Sequence, residues 1–268
     1  PLIDLRKGQI VKKNTVAEVE NAIKDFYRSK NYLKAEVYSE TVYINEKEID
    51  LQLTISEGKK IFVEAINFSG NEFFSKDDLL DQFENTHEDR WWRDGEYDRG
   101  KFEDDLRLMT DYAFNEGYKD FYVVKDSVYY DDKFENIYIN ITVNEGKKYF
   151  FGKSAFAGNI LFSDDELSDA LEFDEGDPYS KIKMDMSLYN NLSTLYMDKG
   201  YLRANIVPEE QIVGNDTVSY VFKITEGTRS RVRRIEFTGN TRTNEKVLRR
   251  EMDIFPGDVF NKTKILRS

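Results

Sequence analysis

Residues 137–159 read IYINITVNEGKKYFFGKSAFAGN, and this stretch decides the fold because its landmarks occur three times in the chain. Its first half alternates apolar and polar residues, a period of two that is typical of a strand with one buried face. It continues through Glu-Gly to Gly-Asn, and the two glycines are 12 positions apart. The three occurrences are Glu57-Gly58 with Gly70-Asn71, Glu145-Gly146 with Gly158-Asn159, and Glu226-Gly227 with Gly239-Asn240. The equal spacing indicates one structural unit that is repeated in tandem.

The repeat is long enough to be a domain. Successive Glu-Gly pairs lie 88 and 81 residues apart. This period exceeds the roughly 20–50 residues of solenoid repeats. Each copy is therefore expected to fold as a small domain with a core of its own.

Each copy contains the same predicted elements. Aligned on Glu-Gly, the apolar positions of the preceding strand coincide: Ile49, Leu51, Leu53 and Ile55; Ile137, Ile139, Ile141 and Val143; Val218, Tyr220, Phe222 and Ile224. A second strand precedes each of these across a polar turn, which predicts a hairpin: Lys34–Ile44, Lys119–Tyr129 and Arg203–Val213. A third, short strand follows each Glu-Gly: Val63–Phe68, Phe151–Phe156 and Val232–Phe237.

Helices complete the unit. Apolar residues at helical spacing precede each hairpin, and Leu188, Leu192 and Leu195 are one such stripe. Another helix opens after each Gly-Asn, where Ser163 and Glu166 form a predicted capping box. The unit is β-α-α-β-β. The fold class is α+β, with tandem domains that each place two antiparallel helices over a three-stranded mixed sheet.

The repeat boundaries predict four domains. Residues 59–146 and 147–227 are complete units, and the former carries a loop insertion at residues 85–92. Residues 1–58 lack the first strand of a unit, and residues 228–268 lack the hairpin. This pattern is expected for a piece of a longer protein. In an alternative interpretation, the end of one molecule completes the beginning of another.

Composition disfavours several classes of function. The chain has 39 Lys and Arg against 51 Asp and Glu, a net charge of −12, which disfavours a nucleic-acid partner. It contains no cysteine, so thiol catalysis, disulfides and cysteine zinc sites are excluded. The single histidine, His87, is not expected to act as a catalytic base. No enzyme activity, cofactor or metal site is predicted.

In the order of these motifs the chain resembles the POTRA domain. The resemblance rests on residues in four motifs: Ile235, Phe237, Gly239 and Asn240; Gly176, Asp177, Pro178 and Tyr179; Gly200 and Tyr201; Glu226 and Gly227. Tandem POTRA domains of this kind are similar to the periplasmic arm of BamA-like outer-membrane β-barrel assembly factors. The resemblance implies a periplasmic location, tethered by a C-terminal membrane barrel that is absent from this sequence. It also implies nascent outer-membrane β-barrel proteins and accessory assembly subunits as partners.

The resemblance further implies binding by β-augmentation, in which an extended chain pairs along the first strand of a hairpin. The candidate edges are Ala35–Tyr43, Asp120–Val128 and Ala204–Gln211. The candidate partner-binding residues on them are Ala35, Val37, Tyr43, Phe121, Val123, Ala204 and Ile206. Charged residues along these strands are equally consistent with edges that only avoid aggregation. Two alternatives for the whole chain also stay open: the arm of a secretion or translocation pore, and a passive structural spacer.

The insertion is the second candidate surface. It lengthens the interval from Gly70 to Gly95 to 25 residues, against 18 in the other copies, and it holds both tryptophans, Trp91 and Trp92. Tryptophan is enriched at binding hot spots and at membrane interfaces. The simpler interpretation, which we expect, is that both rings pack back onto the helices or the next domain.

Overall fold

The computed structural model describes residues 13–46 and 48–268. Residues 1–12 of the first predicted repeat, and Lys47 in its hairpin turn, lie outside the described residues. The chain divides into two compact units, which are described separately. Of the described residues, one unit comprises those up to Tyr112 together with Phe121–Glu145, and the other comprises Ala113–Asp120 with Gly146–Ser268.

The helices and strands follow the predicted order. The elements of the first unit, together with the helix that begins in it, are α1 (Lys13–Ser29), β1 (Glu36–Tyr43), β2 (Ile49–Ser56), β3 (Phe62–Ser69), α2 (Lys76–Leu80), α3 (Arg99–Asn115), β4 (Tyr122–Tyr130) and β5 (Asn136–Asn144). Those of the second unit are β6 (Phe150–Ala157), α4 (Asp164–Ser168), α5 (Lys181–Asp185), a π-helical segment (Met186–Leu192), α6 (Ser193–Asp198), β7 (Asn205–Val213), β8 (Thr217–Thr225), α7 (Glu245–Arg250) and α8 (Lys262–Arg267).

The sheets are mixed, as predicted. In the second repeat the strand order is β3-β5-β4, with β3 parallel and β4 antiparallel to the central β5. The third repeat has the same arrangement in β6-β8-β7. The first repeat contributes the two-stranded hairpin β1-β2. The class is α+β.

The alternating residues of the central strands form the core. Ile137, Ile139 and Ile141 of β5 are fully buried, and Val218 and Phe222 of β8 are buried in the same way. On β2 the corresponding residues Ile49, Leu51 and Leu53 are only half-buried. The predicted inward faces of β5 and β8 are therefore confirmed.

The Glu-Gly and Gly-Asn motifs recur together because they meet in space. The buried Glu145 carboxylate accepts the backbone N–H groups of Glu72 (3.1 Å), Phe73 (2.8 Å) and Phe74 (2.9 Å), which follow Gly70-Asn71. Glu226 accepts those of Ile160 (2.7 Å) and Leu161 (2.8 Å) in the next repeat. Each glutamate thus closes the loop that follows the first strand of its own repeat.

The capping box predicted at Ser163 and Glu166 is confirmed, and other helices have ordered ends of the same kind. Ser163 and Glu166 form the capping box of α4, and Ser75 and Asp78 form that of α2. The residues that end the longer helices, Asn31, Gly117 and Gly200, all have positive φ. This left-handed conformation is the one that a helix terminus of this kind requires.

The predicted third strand at residues 232–237 is wrong. The structure forms only an isolated bridge between Arg231 and Val259 there. A strand is defined by its neighbour, and none of the described residues lies beside this segment as a pairing strand.

Neighbouring repeats share helix caps. The N–H of Ile182 in α5 donates to the Asn115 side chain (2.8 Å) at the end of the preceding repeat's helix. In α8 the N–H of Thr263 donates to Asp198 (2.8 Å), and the Thr263 hydroxyl donates to the same carboxylate (2.6 Å). All of these residues lie in the second unit. The first turn of each following helix is therefore stabilised by a side chain from the repeat before it.

This arrangement predicts a stability effect at Asp198. Asp198→Ala should lower the free energy of unfolding by about 1–2 kcal/mol, because the first turn of α8 loses an acceptor for two donors. Denaturant unfolding measures the loss, and hydrogen exchange locates it in residues 262–267. Asp198→Asn, which keeps an acceptor oxygen, should recover at least half. Equal losses in the two variants would contradict the capping role.

Candidate partner-binding surfaces

The first strand of each hairpin lies at the edge of its sheet. β1, β4 and β7 each pair with one neighbour, and on the other side none of the described residues pairs with them. Such an edge presents unpaired N–H and C=O groups that an extended chain of any sequence can use. The three edges differ in how much of that row is available.

The candidate residues on these strands mostly face inward. Ala35, Val37 and Phe121 are buried, at 2–3% exposure, and Ala204 and Ile206 pack against the core. Val123 is half-buried, and only Tyr43 is well exposed, at 78%. Since alternate residues of a strand point to opposite faces, the strands can offer their backbone but not these inward side chains.

The edge of β7 is interrupted. Pro208 lies in its middle and has no N–H. A proline fits an antiparallel edge strand where its nitrogen faces the open side. Glu210 is paired with the buried Tyr220, so it points toward the core face, and there it forms an ion pair with Lys119 (2.8 Å). A missing donor and an inward-pointing charge are both features that discourage edge pairing.

The edge of β4 is interrupted in a different way. Val124 is an extra residue, because Val123 pairs with Val143 and Lys125 with the next residue of β5. This bulge breaks the regular row of backbone groups. Asp126 then points toward the core face, where it forms an ion pair with Arg99 of α3.

The edge of β1 is continuous. All eight of its residues pair with β2 in one unbroken register, without proline or bulge. The N–H of Ile44 donates to the carbonyl of Glu48 across the hairpin (3.0 Å). Because the pairing alternates along an antiparallel strand, the backbone groups of Val37, Ser39 and Thr41 face the open side. β1 is therefore the most complete template of the three strands.

The insertion forms a small hairpin with both tryptophans at its tip. Arg90 and Arg93 exchange backbone hydrogen bonds of 2.9 and 3.0 Å, which leaves Trp91 and Trp92 as the two turn residues. The rings contact each other edge to face at 5.0 Å. Trp91 is 91% and Trp92 65% exposed. The expectation that they pack onto the domain is therefore wrong, because the hairpin directs both rings outward.

The base of this hairpin is fixed to β3. The N–H of Asp89 donates to the carbonyl of Val63 (2.6 Å), and the N–H of Val63 donates to the carbonyl of Gly95 (2.7 Å). The Asp89 carboxylate accepts the N–H of Gly95 (3.0 Å) and so holds the two ends together. Glu88 accepts the N–H of Ile66 (3.1 Å). The hairpin that carries the two tryptophans is therefore attached to β3 at its base by several hydrogen bonds.

His87 is half-buried and lies beside Arg93. Its ring contacts the guanidinium of Arg93, and burial lowers the pKa of His87 below its ordinary value. Among residues 13–46 and 48–268 no group of acidic, histidine or cysteine side chains is arranged to hold a metal ion. Within the same residues no helix combines the length and apolar character needed to cross a bilayer.

Comparisons with known proteins identify the repeats. The POTRA family, described as "Surface antigen variable number repeat", matches residues 1–58, 61–146, 149–227 and 230–268. The outer membrane protein assembly factor BamA of Neisseria meningitidis serogroup B is 26% identical over 98% of this chain and 34% of its own length. BamA of Buchnera aphidicola is 27% identical over 91% of this chain and 40% of its own length. The chain thus spans well under half of these relatives.

A solved structure has the same fold. The crystal structure of Haemophilus influenzae BamA POTRA3-5 superposes with a TM-score of 0.62 and 25% identity. The match covers 77% of this chain and 82% of that one.

Proposed function

This chain belongs to the POTRA family, and we propose from that premise that it forms part of the periplasmic arm of an outer-membrane β-barrel assembly factor. In this role it binds nascent barrel proteins and accessory subunits without catalysing a reaction. The likeness to the BamA assembly factors over nearly the whole chain supports the assignment. The observation that carries the binding mode is the continuous open edge of β1.

The expected affinity of the β1 edge suits a client protein that must be released again. Val37, Ser39, Thr41 and Tyr43 can offer about six to eight backbone hydrogen bonds, worth about 1 kcal/mol net each. Ordering and association cost about 4–15 kcal/mol, which offsets most of that gain. Binding at β1 is therefore weak and reversible, and it depends on backbone geometry more than on client sequence. These properties suit a protein that passes many different barrels onward.

A proline exchange tests the edge. Ser39 stands 19 residues before Gly58, as Pro208 stands 19 residues before Gly227, so the two occupy equivalent positions. Ser39→Pro should weaken binding of an unfolded outer-membrane β-barrel protein about tenfold, because the edge loses a donor and the ring obstructs pairing. Fluorescence anisotropy of the labelled client measures the affinity.

Matched variants separate this effect from misfolding. Ser39→Ala keeps the N–H and should bind like the parent chain. Pro208→Ser restores a donor on β7 and should strengthen client binding there. If Ser39→Pro binds as well as the parent while keeping its stability, β1 is not the binding edge, and a passive spacer becomes the better account of the repeat.

A further inference from the structure

The tryptophan hairpin is an exposed tip whose base is held by hydrogen bonds. Its two rings lie at the end of a two-residue turn, and the hydrogen bonds of Asp89 hold the turn to β3. The concave surface beside the tip is lined by polar and charged side chains, including His87, Arg93 and Asp94, and not by the two tryptophans. Because hydrogen bonds already hold the base of the hairpin in place, little conformational entropy is lost when the two rings enter a bilayer or another apolar environment.

The tip is too small for a standard protein interface. Two tryptophans expose about 150–250 Å² each, whereas a stable interface uses about 800 Å² per partner. The residues on either side, Asp89, Arg90, Arg93 and Asp94, are all charged, so they do not extend the apolar surface. An isolated pair of indole rings with a polar surround matches the headgroup region of a bilayer, where tryptophan is enriched.

The charges of the hairpin and of the whole chain favour a zwitterionic bilayer over an anionic one. Arg90 forms an ion pair with Glu88, which also binds Lys76 (2.7 Å). Arg93 is followed directly by Asp94, so the hairpin has no strong excess of either sign. The whole chain carries a net charge of −12, which anionic lipids would repel.

We propose that the Trp91–Trp92 hairpin inserts shallowly into the headgroup region of a zwitterionic phospholipid bilayer. The contact places the second repeat against a membrane surface, and it does so independently of any client bound at β1. In this contact the indole rings occupy the boundary between the headgroups and the acyl chains.

Intrinsic fluorescence tests this directly, because these are the only two tryptophans in the chain. Titration with phosphatidylcholine vesicles should shift the tryptophan emission to shorter wavelength and protect it from aqueous quenchers. Unchanged emission at saturating lipid would overturn the proposal. Adding phosphatidylglycerol to the vesicles should lower the bound fraction; an increase would overturn the assignment to zwitterionic lipid.

Vesicle flotation supplies the second readout. Trp91→Ala with Trp92→Ala should reduce flotation at least about tenfold, since it removes the apolar area that enters the bilayer. Ile160→Ala, which alters an equally exposed loop residue of another repeat, should float like the parent. The double variant should keep the parent's stability against denaturant, and a large loss would reassign the rings to a structural role. Flotation equal to that of the parent would overturn the proposal.

Discussion

Replacing Glu145 by alanine is expected to lower the free energy of unfolding by about 3 kcal/mol, because three backbone N–H groups lose a charged acceptor at once. The donors belong to Glu72, Phe73 and Phe74, and the N–H of Phe74 is buried. Hydrogen bonds to a charged group are stronger than neutral ones, and the cost of an unpaired buried donor is added to their loss. The loop after β3 should detach from the end of β5.

Glu57 provides the matched control. It occupies the same position of the motif, but it is exposed, and its carboxylate accepts a hydrogen bond from the hydroxyl of Tyr27 (2.8 Å). Glu57→Ala should therefore change the unfolding free energy by less than about 1 kcal/mol. Glu145→Gln, which keeps one acceptor oxygen, should fall between the two. Denaturant unfolding measures all three, and equal losses for Glu57→Ala and Glu145→Ala would contradict the loop-closing role.

Gly158→Ala is the second large effect, with an expected loss of about 3 kcal/mol or more. Gly158 has φ of +88°, and a Cβ at this position would lie 2.2 Å from the carbonyl oxygen of Ile224. An alanine therefore adds a steric clash with a backbone atom of the central strand β8 to the left-handed strain of about 1–2 kcal/mol. Relief requires β6 to move away from β8, which opens the core.

Gly239 isolates the steric part of this effect. It has a similar φ of +81°, but a Cβ there would meet nothing within 4 Å. Gly239→Ala should cost only the left-handed strain, about 1–2 kcal/mol. The difference between the two alanine variants, measured by denaturant unfolding, reports the close approach of Gly158 to β8. A difference near zero would show that the recurring glycine is required for its conformation alone.

The sequence predicted the elements that depend on local pattern. The period of two identified the buried faces of β5 and β8, and Ser163 with Glu166 marked the start of α4. The prediction from sequence was wrong where the structure depends on contacts with residues far away in the chain. Residues 232–237 have strand composition, but none of the described residues pairs with them as a strand. The π-helical segment at Met186–Leu192 interrupts a stripe of apolar residues whose spacing predicts a regular helix.

The candidate site was predicted only in outline. The sequence located the three edge strands, but the residues named on them were chosen for their apolar character, and apolar residues such as Val37 and Phe121 face the core. The nitrogens of Ser39 and Pro208 point in the same direction, toward the open side, but only Ser39 carries an N–H there. That direction follows from pairing, which is not visible in composition. The outward display of Trp91 likewise depends on how Asp89 attaches to β3.

The shared helix caps give the array a direction. Asn115 and Asp198 each complete the first turn of a helix that lies later in the chain. During synthesis the earlier residues emerge first, so a finished repeat already holds the acceptor that the next repeat needs. The later helix then nucleates against the folded repeat before it. In isolation so short a helix would be unfavourable. Folding of the repeats is thus expected to proceed from the amino-terminal end toward the carboxyl-terminal end, with each repeat serving as a template for the next.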